Sequence, residues 1–258
     1  MNDTSLNADE SPELPAAESE DTPAPPRLSF TLVSGALILG AYLVLQFAAT
    51  VVAVAALDLD PAERMGDLVA LGVLFSAVPC TLLVVRILRH ARGVDPRSWL
   101  ALFPVSTTTL LGWVVFAFVL LQLADLATVE FGRSPVPPVM DAIIETTRYT
   151  TLLWLALVVA APVFEEVLFR GFLFEGLRRT KLGAGGTIVV TTLLWTLLHA
   201  VQYDAYFLVL IALIGILLGV ARERTGSLYV PLAIHAVNNL LSTLQMTEER
   251  DALVHALF

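Results

Sequence analysis

The chain has 258 residues, of which 57% are hydrophobic, and its formal net charge is −9. Its mean hydropathy of +0.77 fits a membrane protein, because roughly 45–50% of the residues of a soluble domain are apolar. The apolar residues form continuous runs, and a helix of about 20 such residues crosses a bilayer. This pattern predicts an all-α polytopic bundle, and we expect the membrane to be a bacterial plasma membrane. It excludes a β-barrel, whose strands alternate apolar and polar residues.

Most of the negative charge lies in an acidic N-terminal tail. Residues 1–27 contain seven acidic side chains and a single Arg, so they carry −6 of the net charge. Because this tail is also rich in Pro, Ser and Ala, we expect it to be disordered. The sequence has no stripe of basic residues, so we expect no nucleic acid partner. Cys80 is the single cysteine, which excludes an internal disulfide and a cysteine-based metal site.

Seven candidate spans follow the tail, and an interfacial or re-entrant helix would make eight. The spans cover residues 29–57, 67–88, 106–128, 150–177, 185–202, 205–222 and 227–244. They divide the chain into the tail 1–27, N-terminal transmembrane helices and loops 28–149, a catalytic core 150–244 and a C-terminal tail 245–258. Two segments are expected to lie along the membrane interface, namely 139–149 and 96–105, the latter with Trp99 and Phe103.

Basic residues are unevenly distributed over the predicted loops. The loops after the second, fourth and sixth spans hold the basic clusters, whereas the alternate loops are poor in Lys and Arg. Cytoplasmic loops are enriched in Lys and Arg, so the asymmetry predicts a cytoplasmic N-terminus. With seven spans, the C-terminus would lie outside.

The fourth span carries three charged residues inside an apolar run. Glu166 and Arg170 are four residues apart and therefore share one helix face, where they can form an ion pair. Glu165 is turned about 100° away from Glu166, so it cannot easily share that pair. We therefore predict that Glu166 and Arg170 are structural and that Glu165 faces a cavity, where it would suit a general base.

The fifth and seventh spans each carry a polar pair at the same spacing. Trp195 and His199 are four residues apart, and so are His235 and Asn239. If these faces converge on Glu165, they could activate a water and hydrogen-bond an oxyanion. The same set could instead bind one Zn²⁺ through His199, His235 and Glu165, leaving a position open for water. A single membrane His or Asn is more often a helix–helix hydrogen bond, but the three motifs in this order favour a functional site.

Together these motifs resemble the CPBP family of intramembrane proteases, also called the CAAX protease and bacteriocin-processing or Abi family. Its pattern is Glu-Glu-x-x-x-Arg, then Phe-x-x-x-His, then His-x-x-x-Asn or Asp, on successive core helices. The chain matches it at Glu165, Glu166 and Arg170, at His199, and at His235 and Asn239, with Trp195 in place of the usual Phe. The resemblance covers about residues 150–244.

The resemblance implies peptide-bond hydrolysis by direct water attack on a membrane-associated protein or peptide. Glu165 and His199 would activate the water, and His235 and Asn239 would stabilise the oxyanion. Glu166, Arg170 and Trp195 would support the site. Family members are usually classed as metalloproteases, so the resemblance leaves open whether zinc or the Glu and His side chains activate the water.

Two other classes of function stay open at this point. One is a non-catalytic membrane protein, an immunity factor or a partner-binding scaffold that retains the core, which the long acidic tail favours. The other is an ion- or proton-coupled transporter that uses Glu165 and His199 as relays. The lack of an internal repeat argues against the transporter.

Overall fold

A computed structural model describes residues 27–257, with side chains placed for residues 27–245 and Thr247. These residues form helices and connecting loops without a strand, which confirms the predicted all-α class. Apart from Arg27, the predicted acidic tail lies outside the described residues. The helices, numbered here in chain order, are α1 Leu28–Leu57, α2 Met65–His90, α3 Pro96–Trp99, α4 Thr107–Glu130, α5 Pro138–Glu145, α6 Thr150–Arg178, α7 Gly183–Leu198, α8 Ala205–Thr225 and α9 Tyr229–Leu257.

Five of these helices are long and apolar enough to cross a membrane: α1, α2, α4, α6 and α8. The predicted total of seven spans is therefore not confirmed. The fifth predicted span, 185–202, leaves the helix at His199, so α7 has only 16 residues. The seventh, 227–244, forms the first part of α9, where His235, Asn238 and Asn239 interrupt the apolar run.

Burial identifies α6 as the centre of the bundle. Half of its most apolar 18-residue window is buried, compared with 17% for α1 and 6% for α4. Helix α6 contacts α1, α2, α7, α8 and α9, whereas α4 packs mainly along α9. The large apolar side chains of α1 and α4 point outward, as lipid-facing residues do. The charged motif of the fourth predicted span is therefore carried by the most enclosed helix.

Trp99, Leu100 and Ala101 of the segment 96–105 are buried in the core, whereas Phe103 is 41% exposed, and the interfacial position of the segment stays a prediction. Trp99 is 3% exposed, and its indole N–H donates to the Phe172 carbonyl at 3.2 Å. The Ser227 hydroxyl donates to the Phe103 carbonyl at 2.6 Å, which fixes the start of α9 against the same segment. A Trp side chain has a large apolar surface and one N–H donor, so it fits a membrane interface or a core that offers a hydrogen-bond acceptor. Here the Phe172 carbonyl in the core is that acceptor.

The start of α6 is held by the first turn of α2. The Asp67 carboxylate accepts hydrogen bonds from the backbone N–H groups of Arg148 at 3.2 Å and Tyr149 at 2.9 Å, and it also pairs with Arg64. Directly beside it, Gly66 lies against α5 and its following turn. A Cβ at Gly66 would be 2.1 Å from the Ile143 carbonyl oxygen and 1.8 Å from the Thr147 hydroxyl.

We therefore expect Gly66→Ala to destabilise the protein by about 1–3 kcal/mol, because a backbone carbonyl would have to move. Gly112→Ala is the matched control, since a Cβ there meets nothing within 4 Å and Ala is the better helix former. Thermal unfolding of the purified protein in detergent should give a lower midpoint for the first variant only. Equal midpoints would show that the α2–α5 contact is not tight.

Candidate active site

Two π-helical stretches in α6 shape the site. They cover Leu155–Ala160 and Glu166–Leu173 and flank a short α-helical stretch, Ala161–Glu165, which contains Pro162. The N–H of Ala161 bonds to the Ala156 carbonyl instead of the Leu157 carbonyl. In the π-helical pattern the Leu157 carbonyl would accept from the N–H of residue 162, but this residue is Pro162, which has no N–H. The Leu157 carbonyl is thus released from the helix, in keeping with the frequent occurrence of π-bulges at functional sites.

Glu166 and Arg170 form the predicted ion pair, and both side chains are completely buried. Arg170 Nη1 donates to Glu166 Oε1 at 3.0 Å, and Nη2 donates to the Gly215 carbonyl of α8 at 3.2 Å. The guanidinium also lies over the Trp195 ring, 4.7 Å from its centroid. The pair therefore connects α6 to α7 and α8 and is more than a contact within one helix.

His235 lies between the two carboxylates of the Glu-Glu motif. Its Nδ1 is 2.9 Å from Glu166 Oε1, and its Nε2 is 3.9 Å from Glu165 Oε2. The sequence predicted the pair of Glu166 with Arg170, and the structure adds the His235 ring to the same carboxylate. The His235 side chain is 5% exposed. Glu165, Glu166 and Arg170 together carry one excess negative charge, so a protonated His235 would make the cluster neutral.

Trp195 connects Glu165 to His199. Its indole N–H donates to Glu165 Oε2 at 2.5 Å, and its backbone carbonyl lies 2.9 Å from His199 Nδ1. A carbonyl oxygen only accepts, so Nδ1 of His199 carries a proton and Nε2 of the neutral ring presents a lone pair. His199 therefore has a partner on its own helix, and Glu165 has one on the next helix.

Asn239 spans the gap between α9 and the released carbonyl of α6. Its Nδ2 donates to Leu157 O at 2.8 Å, and its Oδ1 accepts from Asn238 Nδ2 at 3.2 Å. One hydrogen of the Asn239 amide nitrogen is thus used in a contact between helices, and the second stays available for another acceptor.

One cavity brings these side chains together. Its volume is about 1100 Å³, and Glu165, Trp195, His199, His235 and Asn239 all contribute to its wall. The other wall residues are mainly apolar and come from every long helix. Glu166 and Arg170 do not line the cavity and lie behind it. The site residues predicted from the sequence therefore fall into a cavity-facing group and a supporting pair.

Residues 147–241 match the family model described as type II CAAX prenyl endopeptidase Rce1-like. The core of this chain is therefore similar to that family. The matched range contains all three motifs, so it confirms the family resemblance predicted from them and supports a CAAX-type protease that acts in the membrane.

A curated relative and the solved structures complete the comparison. The chain is 27% identical over 158 residues to an Escherichia coli protein named "Uncharacterized 24.3 kDa protein", and the alignment covers 57% of this chain and 71% of that relative. No solved structure matches the chain significantly.

The sequence left open a zinc site formed by His199, His235 and Glu165. Within the part of the chain that the structure describes, no three His, Cys, Asp or Glu side chains are grouped to hold a metal. Zinc lies about 2.0–2.2 Å from each nitrogen or oxygen ligand. Nδ1 of His199 faces a carbonyl and Nδ1 of His235 faces Glu166, so a metal could bind only at the Nε2 atoms of the two rings, and Nε2 of His235 lies 3.9 Å from Glu165 Oε2. We therefore assign no chemical step to a metal.

The loop after His199 is anchored to α4. Asp204 caps α8 and pairs with Arg133, whose guanidinium lies 4.8 Å from the centroid of the Tyr206 ring. The Phe207 N–H and, to a smaller extent, Arg133 hold the pKa of Asp204 below its usual value. Thr128 and Tyr206 add a hydrogen bond between their hydroxyls at 2.8 Å. These contacts fix the C-terminal end of α4 beside the cavity.

Two tyrosines of the cavity wall were not among the predicted site residues. Tyr42 of α1 stacks on Phe164, the residue before Glu165, with ring centroids 4.3 Å apart. Tyr203 lies next to His199, with 5.9 Å between the ring centroids. Tyr42 is the single Tyr in an otherwise apolar span, which is a weak signal in the sequence. Tyr203 lies in a loop, where nothing in the sequence distinguishes it.

Arg170→Met should lower the free energy of unfolding by about 3–5 kcal/mol, because Glu166 would remain buried without its cation. Arg179→Met is the matched control, since Arg179 pairs with Glu175 at the same spacing at a half-exposed position and should lose about 1 kcal/mol or less. Adding Glu166→Gln to Arg170→Met should recover part of the loss. Thermal unfolding in detergent measures all three variants, and equal losses for Arg170→Met and Arg179→Met would contradict a buried ion pair.

Asn239→Leu should destabilise the protein by about 1–3 kcal/mol, because it leaves the Leu157 carbonyl buried without a donor. Asn238→Leu removes an amide one residue away whose hydrogen bond among the described side chains is to Asn239, so it should have the smaller effect. Hydrogen exchange of the α6 amides around Pro162 should increase only in the first variant. Unchanged exchange there would mean that Asn239 does not support the π-helical stretch.

Proposed function

We propose that the chain is an intramembrane endopeptidase that hydrolyses a peptide bond in a membrane-associated protein or peptide. The observation that carries the proposal is the arrangement around Trp195, which holds the Glu165 carboxylate and the His199 ring at the wall of one cavity. A carboxylate and a neutral imidazole beside an enclosed space are the groups that water activation requires.

In the proposed reaction, the His199 Nε2 lone pair accepts a hydrogen bond from a water in the cavity and orients it. Glu165 removes a proton from that water as its oxygen attacks the peptide carbonyl carbon, which forms a tetrahedral intermediate. When the C–N bond breaks, Glu165 returns the proton to the departing amine. The products are a carboxylic acid and an amine, and no acyl-enzyme forms.

The negative charge of the tetrahedral intermediate requires hydrogen-bond donors. His235 would supply Nε2–H when its ring is protonated, since Nδ1–H is directed at Glu166. The second amide hydrogen of Asn239 is a further donor at the same wall. Donors held in place in an enclosed site stabilise such charge strongly, because they need no reorganisation during the reaction.

The cavity favours a substrate that reaches the site from the membrane. Its wall is mostly apolar, and helices with lipid-facing surfaces surround it. An extended peptide bound there buries its apolar side chains, while the polar groups of α9 satisfy its backbone. This supports a membrane-associated protein or peptide as substrate, with the lipid bilayer as the surrounding medium.

The test uses purified full-length protein in proteoliposomes with a pool of membrane-anchored peptides, and cleavage is measured by mass spectrometry. We expect Glu165→Gln and His199→Ala to lower the cleavage rate by about 10²–10⁴-fold, the contribution of general acid–base catalysis. Glu145→Gln is the control because this carboxylate lies exposed at the end of α5.

Equal cleavage by Glu165→Gln, His199→Ala and the unmodified chain would contradict the proposal. The same variants separate the enzyme from the non-catalytic rival. An immunity or scaffold role predicts full biological function in Glu165→Gln, since this change keeps the shape of the side chain and a hydrogen-bond acceptor for Trp195.

A further inference from the structure

A carboxylate that the proposed reaction does not use lies in the wall of the same cavity. Asp125 is on α4, five residues before the helix ends, and it is half-buried. Its partner among the described side chains is the Gln245 amide of α9, with Nε2 3.5 Å from Asp125 Oδ2. No described Lys or Arg side chain contacts it. A carboxylate inside a membrane span is costly, so its position calls for a cationic or hydrogen-bonding partner.

A polar stripe on α9 connects this carboxylate to the catalytic wall. His235, Asn238, Asn239, Ser242 and Gln245 recur at helical spacing, and all of them line the cavity. The stripe therefore follows one face of α9 from His235 to the partner of Asp125. Amide and hydroxyl groups along such a line can hydrogen-bond the backbone of an extended peptide, which finds no water in the hydrocarbon region.

We propose that Asp125 is a specificity determinant that binds a basic side chain of the peptide substrate. This inference rests on the proposed protease function and adds a preference to it. An ammonium or guanidinium group that enters the cavity would supply the cation that the described partners of Asp125 lack. Gln245 would then orient the carboxylate, in the way that a supporting amide positions a charged ligand group.

The geometry also gives the place of the basic residue in the substrate. Gln245 lies ten positions after His235, and at about 1.5 Å per position this is roughly 15 Å of helix. An extended peptide covers at most about 3.3–3.6 Å per residue. The basic residue should therefore lie about four residues from the bond that is cleaved.

The experiment uses the full-length protein in proteoliposomes with two sets of membrane-anchored peptides. A pool with one randomised stretch shows by mass spectrometry which residues are enriched at each distance from the cleaved bond. Matched peptides then carry Lys, norleucine or Glu at the selected position. We expect kcat/KM to be at least about tenfold higher for Lys than for norleucine, which is the value of one charge-assisted hydrogen bond.

Substitutions at Asp125 test whether this residue is the source of the preference. Asp125→Asn keeps a hydrogen-bonding partner for Gln245 but removes the charge, so the ratio between the Lys and norleucine peptides should fall to about one. Asp125→Lys should reverse the preference in favour of Glu. The control Glu130→Gln, an exposed carboxylate on the same helix outside the cavity wall, should keep the original ratio.

The outcomes separate this inference from the function on which it rests. Cleavage without any preference for a basic residue, or a preference that Asp125→Asn leaves intact, overturns the inference and leaves the protease intact. If no peptide of the pool is cleaved by the unmodified chain, both proposals fall. A structural role of the Asp125–Gln245 contact predicts a change in melting temperature without a change in the ratio between peptides.

Discussion

The geometry of the site depends on one buried cation. Arg170 has no exposed surface, so its desolvation must be offset by partners, and it finds them on three helices. It pairs with Glu166 on α6, donates to the Gly215 carbonyl on α8 and lies over the Trp195 ring on α7. Glu166 in turn holds His235 of α9. The four helices of the Rce1-like core are therefore connected through one guanidinium, and the side chains that line the cavity take their positions from it.

The backbone of α6 contributes a second constraint, because π-helical geometry redirects carbonyl groups and the membrane offers no water to replace the lost bonds. Three backbone carbonyls of its π-helical stretches accept hydrogen bonds from side chains of other elements. The Leu157 carbonyl accepts from Asn239, the Arg170 carbonyl accepts from the Arg222 side chain at 3.0 Å, and the Phe172 carbonyl accepts from Trp99. Each of these carbonyls fixes the position along the axis of α6 at which another segment packs. An irregular helix thus provides polar contacts at specific levels, which a regular helix with all its carbonyls satisfied could not offer its neighbours.

The parts of this arrangement that could be predicted are those encoded within one helix. The spacing of Glu166 and Arg170 predicted their pair, and continuous apolar runs predicted the long spans. The remaining parts are set by packing between segments. Nothing near His235 in the chain indicates that its ring reaches Glu166, which lies 69 positions earlier. A Trp such as Trp99 is common at membrane interfaces. Its burial here could not be predicted, because it depends on a hydrogen bond to the Phe172 carbonyl of another helix. The length of α7 was overestimated because Ala200 and Val201 continue the apolar run after the helix has ended.

The two imidazoles of the site are distinguished by what their Nδ1 atoms face, and this difference bears on their roles. His199 faces a backbone carbonyl, which accepts the proton on Nδ1, so the neutral ring presents its lone pair at Nε2. His235 faces the Glu166 carboxylate, which accepts the proton on its Nδ1, within a cluster that carries two acidic side chains and one basic one. A neutral ring can orient a water, whereas a charged ring can donate to an oxyanion. The surroundings of each histidine, set by α7 in one case and by the Glu166–Arg170 pair in the other, thus fix how its ring is oriented at the cavity wall.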